Sequence, residues 1–203
     1  MKILEEKRAP NPRRVRIFLA EKNVEMTYEP VDIMKSAHKT AEFTELNPFQ
    51  RVPVLLLDDG TAIAETMAIC RYFEALKPEP ALFGRTPLEI ATVEMWNRRA
   101  EMNFLLTVAN YFRHSHPAMA GLEVPQVPAW AEANRPRVAE IIEIFDRHLA
   151  TSPFLAGDTF SVADITAAVA TDFMRPARLT VPEGAENFKR WYARVSARPS
   201  FSA

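Results

Sequence analysis

Residues 47–66, NPFQRVPVLLLDDGTAIAET, restrict the fold of this chain more than any other stretch. Val52-Pro53 stands directly before the apolar run Val54 to Leu57, where a trans proline is awkward because it has no N–H for a sheet ladder. A cis peptide, which turns the chain sharply, resolves the conflict. Asp58-Asp59-Gly60 then reads as a hairpin turn, Thr61 to Ala64 as the return strand and Glu65 to Leu76 as a helix. Upstream, MKIL is a short apolar strand, and Pro10 and Pro12 suit the first turn of a helix carrying Val15, Phe18, Leu19 and Lys22. Asn23 can close that helix in the left-handed conformation, MTYEPVDI follows with strand-like density, and Thr40 to Leu46 forms a short helix. Residues 1–77 are thus an α/β unit of order β-α-β, helix, hairpin, helix.

Pro78 and Pro80, in KPEPALFG, break the last of these helices, so residues 78–86 are expected to be a linker. The texture then changes to long helices, and residues 87–203 are expected to form an all-α domain. Pro87 to about His114 has no internal Pro or Gly, and Val138, Ile141, Ile142, Phe145 and Leu149 share one helical face. Ser161 and Asp164, in SVAD, have the spacing of a capping box at the start of a further helix, and losing Ser161 is expected to cost about 1 kcal/mol. Ala185 to Ala197 is a last helix, ended by Arg198-Pro199.

Bulk properties narrow the function. A balance of 25 basic and 26 acidic side chains provides no global field for nucleic acid or an anionic membrane. No apolar run reaches a membrane span and the first residues lack a signal-peptide core, so a cytoplasmic protein is expected. The single Cys70 excludes an intramolecular disulfide framework and a dithiol redox pair, and among helical apolar neighbours it reads as buried and inert. No metal site is expected.

Around a cis Val52-Pro53, the Val52 main chain has its N–H and C=O available to an extended peptide, in the manner of strand addition. Glu65-Thr66 opens a helix whose N–H groups favour a carboxylate, while the Glu65 side chain can accept from an ammonium. Taken singly, a Val-Pro before a strand is more often a turn and a Glu-Thr more often a cap. Taken together they imply a ligand with an α-amino acid end and a peptide bond.

NPFQRVPVLLLDDGTAIAETMAICRYFEAL resembles the glutathione-binding motif of the cytosolic glutathione transferases, and FLAGDTFSVADIT resembles that family's C-terminal capping motif. The similarity spans nearly the whole chain. It implies a thioredoxin-like N-terminal domain followed by an all-helical C-terminal domain, with glutathione as cosubstrate, a small hydrophobic electrophile bound between the domains, and a homodimer. By the same resemblance Glu65 and Thr66 hold the γ-glutamyl end, Val52 beside Pro53 pairs with the cysteinyl backbone, and His38, Lys39 and Arg51 lie near the glycyl carboxylate, where a cation is physically sensible. His38-Lys39 has an equal reading as a solvated loop. Gln50 stands where the family often has glycine.

The family's Tyr, Ser or Cys donor to the glutathione sulfur is missing: no such residue, and no Thr, precedes Met26, and Ala9 occupies the place of the hydroxyl. AP-P-RVRI-LAEKN and TPLE…NRRAE…YFRHSHP resemble an atypical bacterial and fungal subgroup that also lacks it. The expected substitutes are Asn11 beside the first helix, a water, or the polar stripe Arg99, Asn103, Asn110, Arg113 and His114. Phe104, Tyr111 and Phe112 are expected to offer surface to the electrophile, and Arg8, Arg13, Arg14 and Arg16 to form a solvated helix face. Conjugation, with hydroperoxide reduction beside it, is the activity this implies. A non-catalytic binding or regulatory module is the alternative that the missing hydroxyl supports, and a glutathione-dependent isomerase or dehalogenase a second.

Overall fold

The structure, a computed structural model, describes residues 1–203 and separates them into two compact units, Met1–Ala81 with Pro199–Ala203, and Leu82–Arg198. The division falls inside the expected linker. The last five residues, read from sequence as part of the helical domain, instead complete the first unit.

In the first unit β1 (Lys2–Glu5), α1 (Pro10–Glu21), β2 (Thr27–Pro30), α2 (Ala41–Leu46), β3 (Val54–Leu56), β4 (Ala62–Ala64) and α3 (Thr66–Leu76) follow one another. The sheet order is β2-β1-β3-β4, with β1 parallel to β2 and antiparallel to β3, and β3 antiparallel to β4: a thioredoxin-like arrangement. Alternation along the strands sends neighbouring side chains to opposite faces. Leu4 and Val54 accordingly pack with Val31 and Phe43 on one face, while Ile3 and Leu55 are buried on the other. Gly60, at φ +88°, supplies the left-handed residue of the β3–β4 turn. Asn23 adopts the expected positive φ, 49°, just past α1.

Arg14 and Arg16 of α1 correct the expectation of a solvated face, and Lys22, just past the end of α1, is buried too. Arg14, Arg16 and Lys22 are buried at 1, 6 and 0% exposure. Arg16 places Nη1 2.7 Å and 2.8 Å from the two carboxylate oxygens of Glu5 and donates from Nη2 to the Lys7 carbonyl. Lys22 lies 2.5 Å from Glu74 and donates to the carbonyls of Lys77 and Pro78 at 2.9 and 3.1 Å, and to that of Pro80. These partners lie far from α1 in sequence or on main-chain carbonyls, so a charge pattern cannot announce them.

The second unit consists of α4 (Pro87–Arg98), α5 (Leu106–Ser115), α6 (Pro128–Leu149), α7 (Val162–Met174) and α8 (Glu186–Ser196). A π-helical stretch, Arg99–Leu105, joins α4 to α5 in one continuous rod. Thr86 and Glu89 make a capping box at the start of α4. At the start of α7, the carboxylate of Asp164 accepts from the Ser161 N–H at 3.0 Å, the Ser161 hydroxyl at 3.1 Å, the Leu155 N–H at 2.9 Å and the Trp191 indole at 2.8 Å. The sequence signal found the cap, while the structure makes its acid a fully buried junction of three segments. Burial pushes the Asp164 carboxyl upward against the pull of those donors. Phe104, Phe145, Phe188 and Trp191 form the adjoining aromatic core.

Candidate active site

The stretch from Asn47 to Thr66 folds around its own side chains. The Asn47 amide accepts from the Phe49 N–H at 3.1 Å and donates to the Arg51 carbonyl at 2.9 Å, which shapes the loop into β3. Gln50 sits at φ 53°, a left-handed position that explains why glycine would serve there. Its amide donates to the Thr44 hydroxyl at 3.0 Å. Val52-Pro53 is cis as expected, with Val52 half-buried and Pro53 buried.

Glu65 precedes α3 at φ 72° and ψ 122°, a conformation that costs a residue bearing a Cβ about 1–3 kcal/mol. The Glu65 side chain is exposed and caps nothing in α3. Thr66 is buried at the first helical position, and the N–H groups of the first turn lack helical partners. A strained exposed carboxylate beside a helix N-terminus presents an acceptor for an ammonium together with donors for a carboxylate.

His38 lies in a short 3-10 turn, Ala37–Lys39, and is 5% exposed, with a buried Nδ1 that has no partner. Burial, then the charges of Lys39 and Arg51, hold its pKa below the ordinary histidine value. The structure therefore brings His38, Lys39 and Arg51 within electrostatic reach of one another, with both cations exposed. The solvated-loop reading fits Lys39 and does not fit His38.

At the start of α1, Ala9 provides no side-chain cap, and Pro10 and Pro12 occupy the first turn. Asn11 is exposed there, and its Oδ1 accepts from Arg14 Nη1 at 3.2 Å. Glu5 is turned away into its pair with Arg16, and Glu6 pairs with Arg8 at 3.2 Å.

The second unit sorts the other candidates. Phe104 is 0% exposed, edge-on to Phe145 at 5.8 Å and Phe188 at 6.1 Å, so it is core and has no surface for an electrophile. Tyr111 and Phe112 are half-buried, and Phe112 stacks on His116 at 4.7 Å. Arg99 is exposed and lies over Trp96 at 4.6 Å. His114 accepts the Val127 N–H on Nδ1 at 3.1 Å, with Nε2 3.9 Å from Glu123. The Arg113 carbonyl receives the Gln126 amide at 2.7 Å. Both residues thus pin the loop between α5 and α6. Sequence reasoning missed Asn97, fully buried in α4, whose Oδ1 accepts from the Thr166 hydroxyl at 2.7 Å. Cys70 is buried in α3, as expected.

A thioredoxin-like sheet with an acidic helix start after β4, joined to an all-helical unit, has the architecture of the two-domain glutathione transferases. The family models described as Glutathione S-transferase, N-terminal domain and Glutathione S-transferase, C-terminal domain match residues 9–76 and 104–199. Glutathione S-transferase 2 of Saccharomyces cerevisiae is 42% identical over 194 residues, 94% of this chain and 83% of its own. The crystal structure of Gtt2 from Saccharomyces cerevisiae superposes with a TM-score of 0.95 at 40% identity, covering 100% of this chain and 99% of that one. A glutathione S-transferase domain-containing protein of Marinobacter aquaeolei gives 0.95 at 40% identity, covering 98% and 99%. The chain belongs to the glutathione S-transferase family.

Proposed function

We propose that this glutathione transferase binds glutathione along Val52, Glu65 and Thr66 and attacks small hydrophobic electrophiles with the bound thiolate. The observation that carries the reading is Glu65, kept exposed in a costly conformation at the start of α3 while serving no cap. Its carboxylate receives the γ-glutamyl ammonium, the first-turn N–H groups of α3 and Thr66 receive the neighbouring carboxylate, and the Val52 main chain pairs with the cysteinyl residue. Lys39 and Arg51 attract the glycyl carboxylate, and a neutral His38 contributes a hydrogen bond rather than a charge. A reaction run on a reduced thiol suits the cytoplasm.

The free thiol titrates near 8.5, about 1.5 units above neutrality, so the enzyme supplies roughly 2 kcal/mol to hold the thiolate at pH 7. Asn11 is the first candidate to supply it. Arg113 and His114 are the second, and Tyr111 and Phe112 offer apolar surface to the electrophile. Phe49, 76% exposed, and the stripe Leu88, Met95, Met102 and Leu106, 41 to 77% exposed, support a homodimer.

The test is a melting curve with and without glutathione, followed by conjugation of an aryl halide. Wild type is expected to gain stability from glutathione and Glu65→Ala to lose that gain. No gain in wild type sinks the ligand assignment. Binding with no turnover on aryl halides or hydroperoxides favours the binding-module reading, whose support is the Ala9 position. A drop in turnover for His114→Ala with the α5–α6 loop intact moves the activating role from Asn11 to His114.

A further inference from the structure

A cleft of about 260 Å³ opens in the second unit where the end of α6 meets α8, and it shares no residue with the glutathione site proposed above. That volume is just below the roughly 300–1,000 Å³ of drug-sized ligand sites, so it suits a small metabolite. Leu149 and Trp191, buried at 7 and 2% exposure, give it an apolar floor. Arg190 and Arg194 stand one helical turn apart on α8 and both line the cleft. Both are exposed and neither forms an ion pair, whereas Lys189 beside them is paired with Glu186 at 2.8 Å. Arg194 is held from two sides: Nη1 donates to the Pro153 carbonyl at 3.1 Å, and the guanidinium lies 5.7 Å from the centre of the Phe154 ring. Arg190 donates to the side-chain oxygen of Asn187. A guanidinium has five N–H donors, so about four remain on each for a ligand.

The cleft has acceptors as well. The Ser152 hydroxyl donates to the Phe154 carbonyl at 2.6 Å and the Thr151 hydroxyl to the His148 carbonyl at 3.4 Å, so each has only lone pairs left to offer. Two features oppose an anion here. The C-terminus of α6 carries the negative end of its dipole, equivalent to about half a charge, and Asp146 lies within electrostatic reach of Arg190. The first turn of α8, through Asn187, brings the positive end of another dipole to the same cleft and offsets the first. Asp146 is engaged there, accepting the Phe188 N–H at 2.8 Å and the Asn187 amide at 3.1 Å. Two guanidiniums against one carboxylate leave the cleft positive. A carboxylate has two oxygens and fills one guanidinium fork. A phosphate monoester has three terminal oxygens and nearly two charges at neutral pH, enough to engage both forks at once.

We propose that this cleft binds a small phosphate monoester of a hydroxylated compound, with its phosphate held between Arg190 and Arg194 and its hydroxyls donating to Ser152 and Thr151. The bound ligand ties the end of α6 to α8 and stabilises the fold as the site fills. This second site goes beyond the glutathione reading and does not depend on it.

The experiment is isothermal titration calorimetry and melting curves of the full chain with glycerol phosphate, inorganic phosphate and glycerate, each with and without saturating glutathione. Glycerol phosphate is expected to bind and to raise the melting temperature equally in both conditions. Glycerate, with a carboxylate in place of the phosphate, is expected to bind about tenfold more weakly or worse, and equal affinity overturns the phosphate assignment. Arg190→Gln and Arg194→Gln are each expected to weaken glycerol phosphate about tenfold or more, while glutathione still acts on both variants as on wild type. Weaker binding of inorganic phosphate supports the hydroxyl contacts, and equal binding overturns them and assigns the cleft to the free anion. Failure of glycerol phosphate to bind wild type, or undiminished binding by Arg190→Gln, overturns the proposal. The Arg190 arm decides alone if Arg194→Gln, which gives up the packing on Phe154, fails to fold. A melting shift that saturating glutathione abolishes places the phosphate among the cations of the glutathione site and also overturns it. Absence of any glutathione-induced shift in wild type removes the glutathione reading instead and leaves the Arg190 result to judge this cleft.

Discussion

Glu65→Gly is expected to make the protein more stable and less able to bind its ligand. The backbone at Glu65, φ 72° and ψ 122°, costs a residue with a Cβ about 1–3 kcal/mol, and glycine removes that cost. Glycine brings back about 0.5–1 kcal/mol of chain entropy in the unfolded state. The Glu65 side chain caps nothing in α3, so its removal subtracts little else. The net gain is about 0–2.5 kcal/mol, which in a chain of 203 residues, at about 2–4 °C per kcal/mol, raises the melting temperature by up to roughly 10 °C. The ligand term has the opposite sign. Glutathione at a hundred times its Kd stabilises wild type by about 2.7 kcal/mol, or roughly 5–10 °C, and that gain is expected to vanish in the variant. Scanning fluorimetry of both proteins with and without glutathione gives four midpoints, and the predicted pattern is a crossing: the variant melts higher alone and lower with ligand. A variant that melts lower alone, or that keeps the glutathione gain, refutes the view that the strain at Glu65 is maintained for binding.

Lys22→Met removes the cation from a buried cluster around Glu74 and is expected to cost about 3–5 kcal/mol, read from urea denaturation midpoints. His38, held by burial below the ordinary value near 6.5, takes up its proton in the unfolded chain first as pH falls. Its contribution is therefore complete above about pH 6.5 and is lost below it, until the folded protein is protonated too. His38→Gln should flatten the stability profile on the acid side of that value, and an unchanged slope would remove the assignment. Cys70→Ala is expected to leave conjugation within twofold of wild type and to cost about 1 kcal/mol of stability, and the native thiol should resist alkylation because it is fully buried.

The first unit was legible because its signals are local. Val52-Pro53, the Asp-Asp-Gly turn and the Glu65-Thr66 helix start each act within a few residues, and Ser161 with Asp164 announces its cap in the same way. Arg16 and Lys22 were illegible for the converse reason: their partners are Glu5, Glu74 and the carbonyls of Lys77, Pro78 and Pro80, and only folding assembles these. Phe104 looked like a ligand surface because periodicity marks a buried face without saying what covers it. The covering rings come from α6 and α8. The π-helical turns at Arg99–Leu105 leave no trace in a search for a period of 3.6. His114 was placed on a polar stripe, and the structure adds that its Nδ1 is taken by Val127, a partner beyond a loop.

The final residues return to the first unit: the Ser200 hydroxyl meets Glu21 and the Arg13 guanidinium lies over Phe201 at 5.9 Å. A ribosome delivers Met1–Ala81 first and Pro199–Ala203 more than a hundred residues later, roughly 6–24 s at ordinary rates of synthesis. During that interval α1 lacks the contacts that Ser200 and Phe201 make with Glu21 and Arg13. α1 therefore reaches its final packing only after all the helices of the second unit have been synthesised.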